Sequence, residues 1–253
     1  MATPGTLYLV PAPLDFGCAQ QVPISDVLPQ ATLAVAARLT YWVSENAKTT
    51  RAFLKRIGEH MPLAVPLQEM HIAELPREVH KKGDHAGGFD ARPLLATVLH
   101  GHDLGLASEA GMPAVADPGS SVVRGAHDLG IPVVPLVGPV SLLLALAASG
   151  MNGQDFAFVG YLPQSGVDRA KRIRELETRA LKTGQTQVFI ETPYRNVPLW
   201  QALLQGLQPA TRLAAASGLT LPGGRALSET VQRWKGKPAP VKPDTPAVFL
   251  IGR

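Results

Sequence analysis

The groups in this chain best suited to chemistry lie in short turns that follow apolar runs. The clearest is SEAGMPAVADPGSS, residues 108–121. It joins an acid-Gly-x-Pro arrangement (Glu109, Gly111, Pro113) to a second turn at Asp117, Pro118 and Gly119. Two other turns share its character. In VPAPL, the residues Pro11, Ala12, Pro13 and Leu14 end the first apolar run; in GPVS, Pro139, Val140 and Ser141 follow Gly138. Small residues and prolines at such points let backbone amides and carbonyls approach a bound molecule closely, so these turns suit holding a ligand. Ser108, Glu109, Ala110, Gly111, Pro113, Ala114, Val115 and Ala116 form the candidate wall. The plainer alternative for Gly111 and Gly138 is a tight turn, and for Glu109 a carboxylate that organises its own loop.

If a reacting hydroxyl must lose a proton, Glu45 and Tyr161 are the first candidates, with Glu191 behind them. Asp117 reads instead as the cap of a helix over residues 120–129. Arg195 suits either a phosphate or a solvated surface. The run Arg169, Lys171, Arg172 and Arg174 could face a nucleic acid, although the interleaved Glu175 and Glu177 point to a solvated helix face. His100 with His102, and His80 with His85, recruit no cysteine, so no metal site is predicted. Cys18 has no histidine near it in sequence to make it a nucleophile.

The elements that must position these turns alternate between short apolar strands and amphipathic helices. Residues 104–134 run strand, turn, helix, strand, a crossover unit of a mainly parallel α/β sheet. Ligands in such sheets sit at the carboxyl ends of the strands. Strands are expected over GTLYLVPAP (stopping near Val10), LTYWVS, FAFVGYLP, QTQVFIETP, TRLAAAS and TPAVFLIG. Helices are expected over residues 27–38, 45–58, 90–100, 140–150, 167–184 and 194–207. Another is expected over ALSETVQRWKG, with Ser228 as its cap. The stretch 62–88 is the least regular, and HKKGDHAGG reads as a long loop, a lid or an insertion. The domain boundary is placed so that residues 1–137 form an N-terminal α/β domain and residues 138–253 a C-terminal one.

With 253 residues, 45% hydrophobic and 17% charged, the chain is a globular protein with a substantial core. Its net charge of +4 mildly favours an anionic partner. A single cysteine fits a reducing compartment, no signal peptide is evident, and the apolar run at 133–150 is interrupted by prolines and a glycine. The expectation is a cytoplasmic protein with no membrane association. The first strand leads into PAPLDFG rather than a G-x-G-x-x-G turn, which disfavours a Rossmann dehydrogenase.

Five blocks in order carry a resemblance that covers nearly the whole chain: GTLYLVPAP, SENAKTTR, LASEAGMPAVADPGSS through VGPVS, FVGYLP and FIETPYR. The chain resembles the S-adenosyl-L-methionine (SAM)-dependent tetrapyrrole methylase superfamily. It is most similar to the branch that methylates a cytidine ribose 2′-hydroxyl of 16S ribosomal RNA. Asn46 and Ala47 stand where that branch has Asp-Thr, and ASGLTLPGG stands where it has an Arg-Glu-Leu-Thr segment. The resemblance implies an α/β, two-domain tetrapyrrole methylase-like fold with SAM in a cleft between the domains, a homodimer, and ribosomal RNA or the 30S subunit as partner. On the second-domain side it adds Leu162, Pro193 and Ala216 as lining of the adenine pocket. Two alternatives stand beside it: a same-fold methyltransferase acting on a tetrapyrrole or other small molecule, and a non-catalytic homologue that binds SAM or RNA.

Overall fold

The structure, a computed structural model, describes residues 3–82, 84 and 88–253, with side chains for all of these except 80–82. The chain divides into two units. The first comprises residues 1–16 and 22–139, and the second residues 17–21 and 140–253.

The first unit contains β1 (Leu7–Leu9), α1 (Gln30–Arg38), β2 (Tyr41–Ser44), α2 (Ala47–Gly58), β3 (His71–Glu74), α3 (Arg77–Lys82), α4 (Ala96–Leu99), β4 (Leu104–Ala107), α5 (Ser120–Asp128) and β5 (Val133–Pro135). Its five strands lie in the order β3-β2-β4-β1-β5, and every neighbouring pair is parallel. Both faces are covered, which is why these strands read as short unbroken apolar runs rather than alternating ones. On one face Trp42, Leu33, Phe53 and Leu54 pack beneath α1 and α2; on the other Leu7, Val43, Leu104 and Leu106 meet Val122 and Ala126 of α5. Trp42 explains Gly105 in the neighbouring strand. A Cβ there would lie 2.6 Å from the indole ring, so only glycine lets the two strands keep their spacing.

The second unit contains α6 (Ser141–Ser149), β6 (Phe156–Tyr161), α7 (Gly166–Thr183), β7 (Thr186–Glu191), α8 (Asn196–Gly206), β8 (Arg212–Ser217), β9 (Arg225–Thr230), α9 (Val231–Trp234) and β10 (Ala247–Gly252). Its sheet runs β6-β7-β10-β8-β9, with β6–β7 parallel and the other three pairs antiparallel. One face packs Phe189, Phe249, Trp200 and Trp234 under α7 and α8, and the other packs Val188, Ala214, Val248 and Leu250 under α6. Among the described residues no helix is long and apolar enough to cross a membrane.

Several local expectations change. The segment 225–230 is strand, and only Val231–Trp234 is helical, so Ser228 lies in β9 and caps nothing. The Pro222-Gly223-Gly224 turn folds this segment back on β8, where six cross-strand pairs replace the few bonds a short helix offers. A Cβ at Gly224 would lie 1.9 Å from the Gly218 carbonyl oxygen, so the hairpin closes only with glycine there. Residues 90–100 form a 3-10 turn (Arg92–Leu95) and the single turn α4. Helix α1 starts at Gln30 after Pro29, not at residue 27. Strand β3 lies in the stretch read as irregular. Most of the 80–88 loop, and the His80/His85 pair, lie outside the described side chains.

Asp84 is described, and it caps α5 in place of Asp117. Its carboxylate accepts from the amides of Gly119 (2.9 Å) and Ser121 (2.8 Å) and from the hydroxyls of Ser120 (2.7 Å) and Ser121 (2.6 Å). Burial alone would raise this carboxyl. The hydroxyls of Ser121 and Ser120 and the amides of Ser121 and Gly119 outweigh it and hold the pKa at about 2. The stability this group contributes is therefore present above its unfolded value near 4 and lost as pH falls through about 2. In chemical denaturation at pH 7, Asp84→Ala is expected to cost about 2 kcal/mol, the upper range for a lost helix cap. The deficit should close as pH approaches 2, and equal stability of the two proteins at pH 7 would show that the cap contributes nothing.

Candidate functional site

In the first unit, β2, β4, β1 and β5 are neighbours in the sheet, and the segments leaving their carboxyl ends hold most of the candidate residues. Val10 donates to the Leu106 carbonyl at the end of β4 (2.8 Å). Beyond it, Ala12 and Gly111 exchange two backbone hydrogen bonds, 2.9 and 3.0 Å, as an isolated antiparallel bridge between the loops after β1 and β4. Gly111 has φ +74°, and a Cβ there would lie 3.3 Å from a Leu14 methyl and 3.6 Å from the Pro139 carbonyl oxygen. A Cβ on Gly138 would overlap the Pro11 ring at 2.3 Å. The three turns singled out in the sequence therefore meet, and glycine is required at both points of contact.

Further bonds brace the turns from behind. Asp15, directly after Leu14, is buried and takes a bidentate ion pair from Arg56 of α2 at 2.9 and 2.8 Å. Arg56 also donates to the Val22 carbonyl, closing the loop after β1. Thr32 of α1 donates to the Val137 carbonyl at 2.7 Å. Asn46, at one of the positions that depart from the resembled block, caps α2 by accepting from the Lys48 and Thr49 amides. Asparagine serves this task as well as aspartate.

Within the loop after β4, Ala114 (φ +63°) and Ala116 (φ +65°) hold left-handed backbone that L-residues rarely adopt. Each costs on the order of 1 kcal/mol, and such strain persists where surrounding contacts dictate the path. Ser108 Oγ and Ser44 Oγ, beside the ends of adjacent strands, are buried with no hydrogen-bond partner among the described residues.

The electrostatics centre on Asp117. Burial, the nearby charge of Glu45 and then that of Glu109 push its carboxyl up to about 7. The Ser108 hydroxyl faces it and pulls the other way, but its geometry falls short of a full hydrogen bond. Glu45, Glu109 and Asp117 thus form an acidic group on the strand ends, an arrangement complementary to a cationic ligand. The charge of Glu45 acts on Asp117, and Asp117 does not serve as the cap its sequence context suggests. Its sequence signal, an aspartate before Pro-Gly-Ser-Ser, is that of an ordinary helix start.

The remaining candidates belong to the second unit. Leu162 and Ala216 are buried in that unit's own cores, on opposite faces of its sheet. Pro193 opens a 3-10 turn, and Tyr161 is exposed at the end of β6. Val140 and Ser141 begin α6. Glu191 is buried and holds the Arg195 guanidinium at 2.8 Å, while Arg195 also lies over the Tyr194 ring, so this pair organises the turn after β7. Among the described residues no cluster of three His, Cys, Asp or Glu side chains has the geometry to hold a metal ion.

This sheet, with its strand-end turns, belongs to a known class: the chain is a member of the tetrapyrrole (corrin/porphyrin) methylase family, whose profile matches residues 33–233. Among curated proteins it is 30% identical over 195 residues to ribosomal RNA small subunit methyltransferase I of Xylella fastidiosa, covering 77% of this chain and 61% of that protein. It is 31% identical over 218 residues to the protein of that name from Micromonospora olivasterospora, covering 85% of this chain and 60% of that one. The matched region thus spans about three-fifths of the relatives' length. Two solved structures share the fold across 98% of this chain and 94% of theirs. They are the methyltransferase CobJ (TM-score 0.56, 15% identity) and uroporphyrin-III-C-methyltransferase from Thermus thermophilus (TM-score 0.50, 18% identity).

Asp117 yields a pH signature. Its folded pKa of about 7 lies above the unfolded value, so the favourable balance exists below pH 4 and is lost as pH rises through 7. Asp117→Asn removes the ionisation cost. In chemical denaturation the variant should stay close to wild type at pH 3.5 and exceed it at pH 8 by roughly 2–4 kcal/mol. A constant difference between the two pH values would contradict a carboxyl raised by burial and by the charges of Glu45 and Glu109.

Proposed function

We propose that this chain is a SAM-dependent methyltransferase whose acceptor is a ribose 2′-hydroxyl of small-subunit ribosomal RNA. The observation that carries the reading is the convergence of three strand-end turns, locked by the Ala12–Gly111 bridge, beside an acidic group suited to a cation. SAM fits this site on chemical grounds. Its sulfonium and ammonium groups match the carboxylates of Glu45, Glu109 and Asp117. Pro11–Leu14, 108–116 and Pro139 supply backbone donors and acceptors at close approach for its adenosine and methionine parts. The buried hydroxyls of Ser108 and Ser44 supply polar atoms with no other described partner. Bound SAM supplies a methyl group already activated for transfer, so the protein's task is largely to position donor and acceptor in line. In this reading Asp117 or Glu45, as carboxylates, would take the proton of the acceptor hydroxyl. The ribosomal acceptor is supported by the names of the curated relatives, which share far more sequence with this chain than the solved tetrapyrrole enzymes do.

The test is transfer of a labelled methyl group from SAM to 30S subunits, naked 16S ribosomal RNA and a panel of tetrapyrroles, followed by nucleoside analysis of the product. Label is expected in ribosomal RNA as a 2′-O-methylnucleoside. Gly111→Val should lower transfer at least 100-fold, because its Cβ meets Leu14 on backbone with positive φ. Label confined to a tetrapyrrole, or saturable SAM binding with no transfer to any acceptor, would overturn the proposal.

A further inference from the structure

Charge is unevenly divided along this chain. The second unit holds fourteen Lys and Arg against seven Asp and Glu, a net +7; the first holds ten against thirteen, a net −3. Six of the fourteen cations lie on the eighteen residues of α7. In the sequence Glu175 and Glu177 interleave with this run, but the structure turns one inward and pairs the other. Glu177 is turned into the core, 4% exposed, where it accepts from the Gln208 amide (2.7 Å) and the Thr211 hydroxyl (2.5 Å). Glu175 is engaged by Arg172 at 3.3 Å. That leaves Lys171, Arg174, Arg179 and Lys182 exposed along one side of the helix, with no carboxylate in ion-pair range among the described residues. Eleven residues separate the ends of this stripe, about 16 Å along the helix.

We propose that this stripe on α7 is a docking surface for the phosphate backbone of RNA. The proposal rests on the ribosomal RNA reading above and names the surface that engages that substrate. The chemistry favours a polyanion over an acidic protein. The groove along the stripe is lined by Lys171, Arg174, Glu175, Arg179, Lys182 and two threonines, and the one exposed aliphatic side chain on α7, Val167, lies outside it at the start of the helix, whereas protein interfaces are dominated by clustered apolar anchors. Phosphate contacts require only cations that can each displace condensed counterions, and such contacts position a nucleic acid without reading its sequence.

The experiment measures binding of the full chain to 16S ribosomal RNA between 50 and 300 mM KCl, beside SAM binding and methyl transfer. The test protein combines Lys171→Gln, Arg174→Gln, Arg179→Gln and Lys182→Gln, all exposed helix positions where glutamine is well tolerated. A milder variant carries only Arg174→Gln and Lys182→Gln. A control removes three cations elsewhere in the unit, Arg225→Gln, Arg233→Gln and Lys235→Gln. Each lost phosphate contact should reduce the slope of log affinity against log salt by about 0.7–0.9. The fourfold variant should therefore lose roughly 3 from the slope and bind at least tenfold more weakly at 150 mM, with SAM affinity unchanged. The double variant should lose about half as much, and the control should stay close to wild type. An unchanged slope in the fourfold variant would overturn the proposal, as would an equal loss in the control, which would mean diffuse attraction by the whole unit. Methyl transfer by wild type reports separately on the function: a wild-type protein that binds through the stripe but methylates no RNA would sink that reading and leave the docking surface standing.

Discussion

The exchange of backbone hydrogen bonds between Ala12 and Gly111 is the contact on which the rest of the first unit's site depends. Parallel sheets end with their strand-end loops free to diverge, and this bridge ties two of them together one step beyond the last ladder bond. It favours glycine at 111, because the backbone there has φ +74° and a Cβ would also press on the Leu14 methyl at 3.3 Å. Gly138 against Pro11 repeats the requirement for the third turn. The Arg56–Asp15 pair and the Thr32–Val137 bond then hold those turns from the helix layer. The outcome is a rigid backbone surface, which is what a reaction driven by positioning needs.

That rigidity is bought with strain and unbalanced charge. Ala114 and Ala116 sit in left-handed backbone, and the half-buried Asp117 carboxyl is raised by desolvation and by the charges of Glu45 and Glu109. Neither feature helps the fold. Both are intelligible if the loop after β4 is shaped for a ligand whose positive charge offsets the carboxylates. Asp84 shows the contrast within the same segment. It is buried where Asp117 is half-buried, but four donors at the start of α5 satisfy it, and its carboxyl is held low where that of Asp117 is pushed high.

Much of this was legible in the residues. Glycine and proline at the ends of apolar runs marked the three turns, and burial on both faces gave the short unbroken runs of a parallel sheet. What the sequence hid were relations across distance. Asp84 lies thirty-five residues before Gly119, in a stretch of no periodicity, so Asp117 was the nearer and more plausible cap. Strand β3 is exposed at the sheet edge and lacks an apolar pattern. The segment 225–230 has helix-compatible residues, and only its pairing with β8 makes it a strand. On α7 the spacing of Glu177 among cations points to a solvated face, whereas the turn of the helix buries that side chain.

The central claim is that the strand-end turns and the carboxylates beside them hold a cationic cofactor. Calorimetric titration of SAM into the full chain at pH 5.5 and pH 7.0 tests it most directly. One-site binding is predicted, tighter at pH 7.0 and accompanied by proton release to buffer, because a bound cation favours the ionised form of Asp117. Absence of saturable binding, or binding no tighter at pH 7.0 than at pH 5.5, would contradict the account.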